Sequence, residues 1–351
     1  MKVLISGSAG LIGSELVEFF DRRGNAVVGF DNDMRGDFFG PAGSIQPNLD
    51  RLAREAPRYV HYDTDVRSSG GVDRIFTEEG PFDLIVHCAA QPSHDLSATR
   101  PRDDFDVNVV GTVNILEATR TRSPDAVFVL MSTNKVYGDA PNELPLAELD
   151  TRWDFANPEN RAGIDESMRI DQSRHSIFGA GKVAADVITQ EYGRTFGMRT
   201  HCLRAGCLTG ARQRGVELHG FLSYLVKTQL AGAVYRINGF LGKQVRDNIH
   251  SEDIALAIDA IASNPGMGEV YNIGGGRDNS CSILEAHARV EEMTGIAALT
   301  EYNESPRDGD HCCYITDLSK FRAAYPQWEL TRSLDDILGE LVNTWNPAVA
   351  S

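Results

Sequence analysis

The sequence predicts an α/β fold, a doubly wound parallel sheet with a smaller C-terminal lobe, and three observations predict it. Apolar runs of strand length alternate with helical patterns through the first two-thirds of the chain, and such alternation builds a parallel sheet covered by helices on both faces. The first run, Val3-Leu4-Ile5, leads directly into Gly7-Ser8-Ala9-Gly10-Leu11-Ile12-Gly13. The second, Ala26-Val27-Val28-Gly29-Phe30, ends on Asp31.

The opening residues read as one complete βαβ unit. A strand over 3–6 is followed by a glycine turn, then by a helix carrying Leu16, Val17, Phe19 and Phe20, then by a strand ending at Asp31. Glycines in this register let the backbone approach a pyrophosphate, whose charge rests on the helix N-terminus at Gly10, Leu11, Ile12 and Gly13. An acid at the end of the second strand accepts hydrogen bonds from both hydroxyls of an adenosine ribose and repels a 2′-phosphate, so the cofactor expected is NAD. This is the Rossmann arrangement. Further strands are expected over 59–62, 84–88, 127–132 and 198–203. A helix is expected over 108–120, where Val109, Val113, Leu116 and Glu117 fall at helical spacing. Residues 141–173 break the alternation with Asp, Glu, Asn, Arg and Pro, and an irregular insertion of that length is usually functional. Beyond Arg204 the pattern loosens to a helix over 217–232, a strand at Val234–Asn238 and two or three helices within 276–345. The expected division is an NAD-binding domain over 1–203, with contributions from 240–275, and a substrate lobe from 204–239 and 276–351.

Composition narrows the function. A formal charge of −16 over 351 residues argues against a nucleic-acid surface, which needs clustered Lys and Arg. An anionic ligand then needs a local basic pocket within an acidic protein. The N-terminus does not read as a signal peptide, and no apolar run reaches the ~18 residues that span a bilayer. No membrane partner and a cytoplasmic location are expected. The six cysteines (88, 202, 207, 281, 312 and 313) show no CxxC spacing and no metal-ligand pattern, so no metal is expected.

The chemistry is expected where a central strand ends. The run 127–131 passes into Ser132-Thr133-Asn134-Lys135-Val136-Tyr137-Gly138, and a hydroxyl there faces the cofactor crevice. Later comes Phe178-Gly179-Ala180-Gly181-Lys182, leading into a helix over 183–192. Positions 178 and 182 are four apart and share a helix face. Lys182 is suited to hold the nicotinamide ribose and to set a positive charge beside a reacting oxygen.

With these motifs in place, the chain resembles an extended short-chain dehydrogenase/reductase of the sugar-nucleotide epimerase/dehydratase type over essentially its whole length. The resemblance is carried by Gly7, Gly10 and Gly13, by Asp65-Val66, by His87-Cys88-Ala89-Ala90, by Asn108 in Val107-Asn108-Val109-Val110-Gly111-Thr112, and by Lys182. It continues through Arg246-Asp247-Asn248-Ile249-His250 and Arg307-Asp308-Gly309-Asp310. Within the family, Ser132–Gly138 and Gly242–Asp247 are most similar to 2-epimerases of CDP-sugars. The resemblance implies that Thr133 bonds the hydroxyl being oxidised and that Lys182 binds ribose. It implies that Asp31, with Asn32, receives the adenosine ribose, that Asp65 and Val66 flank adenine, and that Ala89, Ala90 and Asn108 belong to the cofactor site. Arg246 and Arg307 would clamp the diphosphate of a nucleotide sugar, with Asn134 and Cys207 on its sugar side. The family's 4,6-dehydratases carry Asp-Glu after the Thr to eliminate water; here Asn134-Lys135 stands instead. The helices over 108–120 and 181–192 correspond to those that pair relatives into homodimers.

Two positions depart from the family. Cys207 stands where many relatives have Asn. Phe178 stands where the family has its catalytic Tyr, and a phenyl ring neither accepts nor donates a proton. Three readings stay open: another base, an inactive form, or a binding protein on an enzyme fold. Glu166, Asp171 and His175 are replacement candidates, with His94 a further one. An imidazole is the side chain suited to proton transfer near neutral pH, and His175 is expected about one helical turn before Phe178.

Overall fold

The computed structural model describes residues 1–91, 94–213, 215, 220–307 and 309–346, with only the backbone of 94 and 95. The chain divides into two compact units. The first comprises Met1–Val136, Ser176–Arg204 and Ile254–Tyr271, and the second Tyr137–His175, Ala205–Asp253 and Asn272–Ser351.

The first unit is built on a seven-stranded sheet. Its order is Glu269–Ile273, Arg199–Ala205, Val127–Thr133, Leu84–His87, Lys2–Ser6, Ala26–Asp31 and Tyr59–Asp63. Lys2–Ser6 pairs in parallel with both Ala26–Asp31 and Leu84–His87, so strand order reverses there. At such a switch point, the carboxyl ends of neighbouring strands open a crevice. The central strands are buried on both faces: Leu4, Phe30, Ile85, Phe128 and Cys202 share one core with Ile75, Ile115 and Leu116 from the covering helices. Each large apolar side chain so buried contributes ~1.5–3 kcal/mol. Tyr59–Asp63 is the outer strand, and its side chains are half-buried or exposed.

Three elements differ from the sequence reading. The stretch expected as one helix from 108 opens with a π-turn at Asp106–Val110, and the α-helix follows at Gly111–Arg122. A Cβ on Gly111 would lie 2.7 Å from a Val66 methyl, so the wide turn brings a glycine against the loop after the third strand. The helix expected over 217–232 occupies Phe221–Leu230, after Gly220 at a left-handed φ of 89°; residues 217–219 lie outside the described part. Residues 137–175 group with the second unit rather than the first. They carry the hairpin Leu146–Glu148/Trp153–Phe155, and Arg277 donates to both oxygens of Asp154 at 2.8 and 3.0 Å. Ser282 also donates to the Thr151 carbonyl at 2.7 Å.

In the second unit, helices Phe221–Leu230, Ile283–Thr294 and Leu334–Trp345 bury Leu225, Val226, Val290, Ile337 and Leu341 in a core of their own. Val245–His250 is the centre of a four-stranded sheet with Ser280–Ser282, Cys313–Tyr314 and Cys207–Thr209.

One buried ion pair ties the first unit together. Asp186, on the helix Ile177–Phe196, accepts from Arg204 Nε and Nη2 at 3.1 and 2.8 Å, from Ser132 Oγ at 2.6 Å and from Gln190 Nε2 at 2.7 Å. Both charges are almost wholly removed from solvent, and removing one partner of such a pair strands the other. Asp186→Ala is expected to cost about 3–5 kcal/mol of stability in urea titrations, and adding Arg204→Met should restore most of it. A loss under about 1 kcal/mol in the single variant would show that the pair does not hold the unit.

Candidate active site

The glycine turn is fixed by contact. Gly7 has φ 66°, and a Cβ there would sit 2.7 Å from the Ala89 backbone nitrogen; a Cβ on Gly13 would sit 2.0 Å from the Gly7 carbonyl oxygen. These two glycines are demanded by packing. Gly10 is different, since its nearest neighbour would be Gly7 O at 3.3 Å. Gly10 is the extended N-cap of the helix Leu11–Arg22 and supplies no side-chain cap. Gly10 thus offers no side-chain acceptor to the first-turn N–H groups of Leu11 and Ile12, which suits the reception of a pyrophosphate.

Asp31 Oδ1 accepts from the Asn32 and Asp33 backbone N–H groups at 2.9 and 3.2 Å, while Oδ2 has a longer bond, 3.3 Å, from Ala9 N–H. Burial raises the Asp31 carboxyl above the usual carboxylate range, against these three donors. Oδ2 keeps acceptor capacity for ribose hydroxyls. Asn32 Nδ2 donates to Asp65 at 3.1 Å, and Asp65 is also held by Arg67 Nε and Nη2 at 3.0 and 2.6 Å. Asp65 thus fixes its loop, and Val66 packs beneath it, buried.

The loop of Ala89 and Ala90 is held by groups the sequence reading left unused. Asn108 Oδ1 accepts from Gln91 N–H at 3.2 Å, and its Nδ2 donates to Gln91 O at 3.3 Å and Asp104 Oδ1 at 3.2 Å. Thr112 Oγ1 donates to the Asn108 carbonyl at 2.6 Å, so it must accept from His87 Nε2–H at 3.0 Å. His87 Nδ1 then accepts from Ser6 Oγ at 2.6 Å, and Ser6 Oγ accepts from Ala89 N–H at 3.2 Å. Burial, with the Lys182 charge second, pushes His87 down to about 3. Asn114 is a further residue missed from sequence: its amide donates to the Val66 and Arg67 carbonyls at 3.0 and 3.1 Å. A lone Asn on a helix gave no local signal of that.

Phe178 and Lys182 lie on the buried side of one helix, Ile177–Phe196. Lys182 Nζ donates to the Met131 carbonyl at 3.0 Å, two residues before Thr133 on its strand. Burial pushes the Lys182 ammonium down to about 8, against the pull of Asp186 and Asp104. Gly181 lies against Asp104, whose Oδ2 would be 2.8 Å from a Cβ there. Thr133 Oγ1 accepts from Lys135 N–H at 3.3 Å and donates to Asn134 Oδ1 at 3.4 Å. His175 does not lie a helical turn before Phe178 within one helix. Ser176 caps the helix by accepting from Gly179 N–H at 3.1 Å, so the helix starts after it. His175 Nδ1 donates to the Ser173 carbonyl at 3.0 Å. Glu166 is engaged by Asn272 N–H at 2.6 Å, and Asp171 is exposed. The His94 side chain lies outside the described residues.

In the second unit, Cys207 pairs across from Asn248, two residues from Arg246. Arg246 is buried; its Nη1 donates to Val245 O at 2.6 Å and its Nη2 forms an ion pair with Asp310. Arg307 is half-buried, and its carbonyl accepts from Asp310 N–H at 3.2 Å. Asp308 lies outside the described residues. No cluster of His, Cys, Asp or Glu suited to a metal occurs among the described residues, and no described helix is long and apolar enough to cross a membrane.

Comparisons with known proteins agree with this geometry. The model of the family described as "NAD dependent epimerase/dehydratase family" matches residues 3–274. CDP-paratose 2-epimerase of Salmonella typhi is 33% identical over 332 residues, covering 92% of this chain and 93% of that protein. dTDP-glucose 4,6-dehydratase 1 of Escherichia coli is 28% identical over 292 residues, covering 78% and 72%. Among solved structures, UDP-glucose 4-epimerase of Thermus thermophilus in complex with NAD aligns with TM-score 0.79 and 26% identity, covering 99% of this chain and 100% of that one. The glycine turn, the acid at the end of the second strand and the buried lysine are thus parts of an enzyme that uses NAD, and the chain belongs to the NAD-dependent epimerase/dehydratase family.

Proposed function

We propose that the protein inverts C2 of a nucleotide-diphosphate sugar, a CDP-sugar, through a keto-sugar that stays bound. The observation that carries this reading is Asn134-Lys135 after Thr133, in place of the Asp-Glu with which the family's dehydratases eliminate water. The likeness to CDP-paratose 2-epimerase supports it. NAD, when bound, supplies the hydride acceptor and donor and is regenerated in each cycle.

The chain's own residues do the rest. Thr133 Oγ1 bonds the carbinol oxygen. Lys182, anchored through Met131, directs its remaining donors to ribose and keeps a positive charge beside that oxygen. Asp31 and Asn32 receive the adenosine ribose, Leu11 and Ile12 the pyrophosphate, and Val66 the adenine edge, while Ala89 and Ala90 line the cofactor loop that Asn108 holds. Arg246 and Arg307 pair with the sugar-nucleotide diphosphate, since charge-assisted bonds from Arg suit phosphate oxygens. By the resemblance, Asn134 and Cys207 are assigned to the sugar. Phe178 moves the acid–base role elsewhere, and His175, an imidazole close to it in sequence, is our candidate.

Exposed apolar side chains support a homodimer. Phe105, Val110, Ile177, Val187 and Phe196 are exposed on or beside the helices Gly111–Arg122 and Ile177–Phe196, and such patches mark interfaces. We place this dimer in the cytoplasm. Light scattering should give twice the 38.5 kDa chain mass, and Val187→Arg should shift it toward one chain; a monomeric wild type removes the proposal.

Protein purified without added dinucleotide should release NAD(H) on denaturation. Asp31→Ala should weaken NAD by about 1–3 kcal/mol in calorimetry, the loss of bonds to a charged acceptor. Recovery of NADP instead would contradict the role of Asp31.

Substrate deuterated at C2 is the direct test of the reaction. Retained label, a primary isotope effect and inversion at C2 are expected, with Phe178→Tyr changing the rate by less than about threefold. A rise of about 10²–10⁴-fold in Phe178→Tyr, the contribution of a positioned acid–base, would mean that no other base has taken over. Effects at C4 in place of C2 would make the protein a 4-epimerase or dehydrogenase. Binding with no exchange at any carbon would favour the second reading that Phe178 permits, a silent NAD and nucleotide-sugar binder.

A further inference from the structure

The segment carrying Asp310 is gripped by a short strap, residues 138–142. Three hydrogen bonds make the grip. His311 Nε2–H donates to the Gly138 carbonyl at 2.7 Å. Asn142 Nδ2 donates to the Asp310 carbonyl at 3.0 Å, and Asn142 Oδ1 accepts from Cys312 N–H at 2.8 Å. A carbonyl only accepts and a backbone N–H only donates, so the Asn142 amide has a single orientation, and it bridges positions 310 and 312 as a neighbouring strand would. The strap is itself fixed. Asn142 N–H donates to Asp139 O at 2.9 Å, Asp139 N–H donates to Arg174 O at 3.1 Å, and Asp139 Oδ1 accepts from Arg174 N–H at 2.7 Å.

The same segment also meets the arginine. Val245 N–H donates to Cys312 O at 2.9 Å, and the parallel pairing sets Val245 beside Cys313 and Arg246 beside Tyr314. The Arg246 guanidinium closes on Asp310, and the turn ending at Asp310 begins at Arg307. The 310–312 segment therefore connects Asn142, which holds its backbone, to Arg246, which pairs with the Asp310 side chain, and to Arg307 at the start of the turn.

We infer that Asn142 is a positioning residue for nucleoside-diphosphate binding: by clasping Asp310 and Cys312 it holds Arg246 and Arg307 in the arrangement that receives two linked phosphates. The inference rests on the reading of those arginines as diphosphate ligands. It assigns Asn142 no contact with ligand. Its effect is on aim, and displacement of a binding group by about an ångström is enough to lose one to two powers of ten.

Calorimetry with CDP and CMP, and with UDP and UMP, tests it on the full chain carrying its NAD. Asn142→Ala removes both bonds. Asn142→Asp keeps the acceptor for Cys312 but sets an oxygen against the Asp310 carbonyl. Both variants should weaken the diphosphate about tenfold and the monophosphate less than about twofold, with hydrogen exchange rising in the peptide that contains residue 312. Arg246→Gln is the reference for the clamp. If it leaves the diphosphate-to-monophosphate ratio unchanged, or wild type binds no nucleotide, the arginine reading fails. If Arg246→Gln lowers the ratio while both Asn142 variants keep it, the inference about Asn142 is overturned and the clamp stands. Failure of both Asn142 variants to fold would make the residue a folding determinant and overturn the inference as well.

Discussion

The first unit depends on the carboxylate of Asp186. Four donors converge on it, from the strand that ends at Thr133, from its own helix and from the strand Arg199–Ala205. Lys182 is one helical turn earlier on that helix, and Met131, its acceptor, is one residue before Ser132. The register between helix and strand, and so the distance from the lysine to the strand end, is set by a charge that never meets solvent. A buried ion pair is poor evidence for stability alone, because desolvation offsets its attraction. Its value here is directional: an apolar contact tolerates sliding, whereas a carboxylate with every lone pair engaged fixes one register.

The glycines divide into two kinds by the same physical reasoning. Gly7, Gly13 and Gly111 are required because backbone or a neighbouring side chain occupies the place of a Cβ. Gly10 is less tightly enclosed, since the place of a Cβ there lies 3.3 Å from the Gly7 carbonyl oxygen. A motif that reads as one pattern in sequence therefore carries unequal steric demands at its glycines.

Much of this was legible beforehand. The βαβ unit, Asp31 and the shared helix face of Phe178 and Lys182 follow from local periodicity, and they stand where expected. What escaped was tertiary. The allegiance of residues 137–175 to the second unit hangs on pairs such as Asp154–Arg277, separated by more than a hundred positions. His175 falls outside the helix because Ser176 caps it, and a Ser followed by an apolar residue is a weak cap signal by itself. Asn114 and Asn142 do their work through backbone groups far away in sequence, where neither spacing nor composition points.

The His87 chain has a consequence of its own. From Ala89 through Ser6, His87 and Thr112 to the Asn108 carbonyl, every hydroxyl and ring nitrogen has its donor and acceptor roles assigned by the two backbone groups at the ends. Such a chain has a polarity, and no member can turn over without leaving a neighbour facing donor to donor or lone pair to lone pair. A histidine is ordinarily the most changeable of side chains near neutral pH. Locked in this sequence of dipoles and denied its proton by burial, it behaves as a rigid, neutral spacer: a ring chosen for having two nitrogens at a fixed separation, one to give and one to receive.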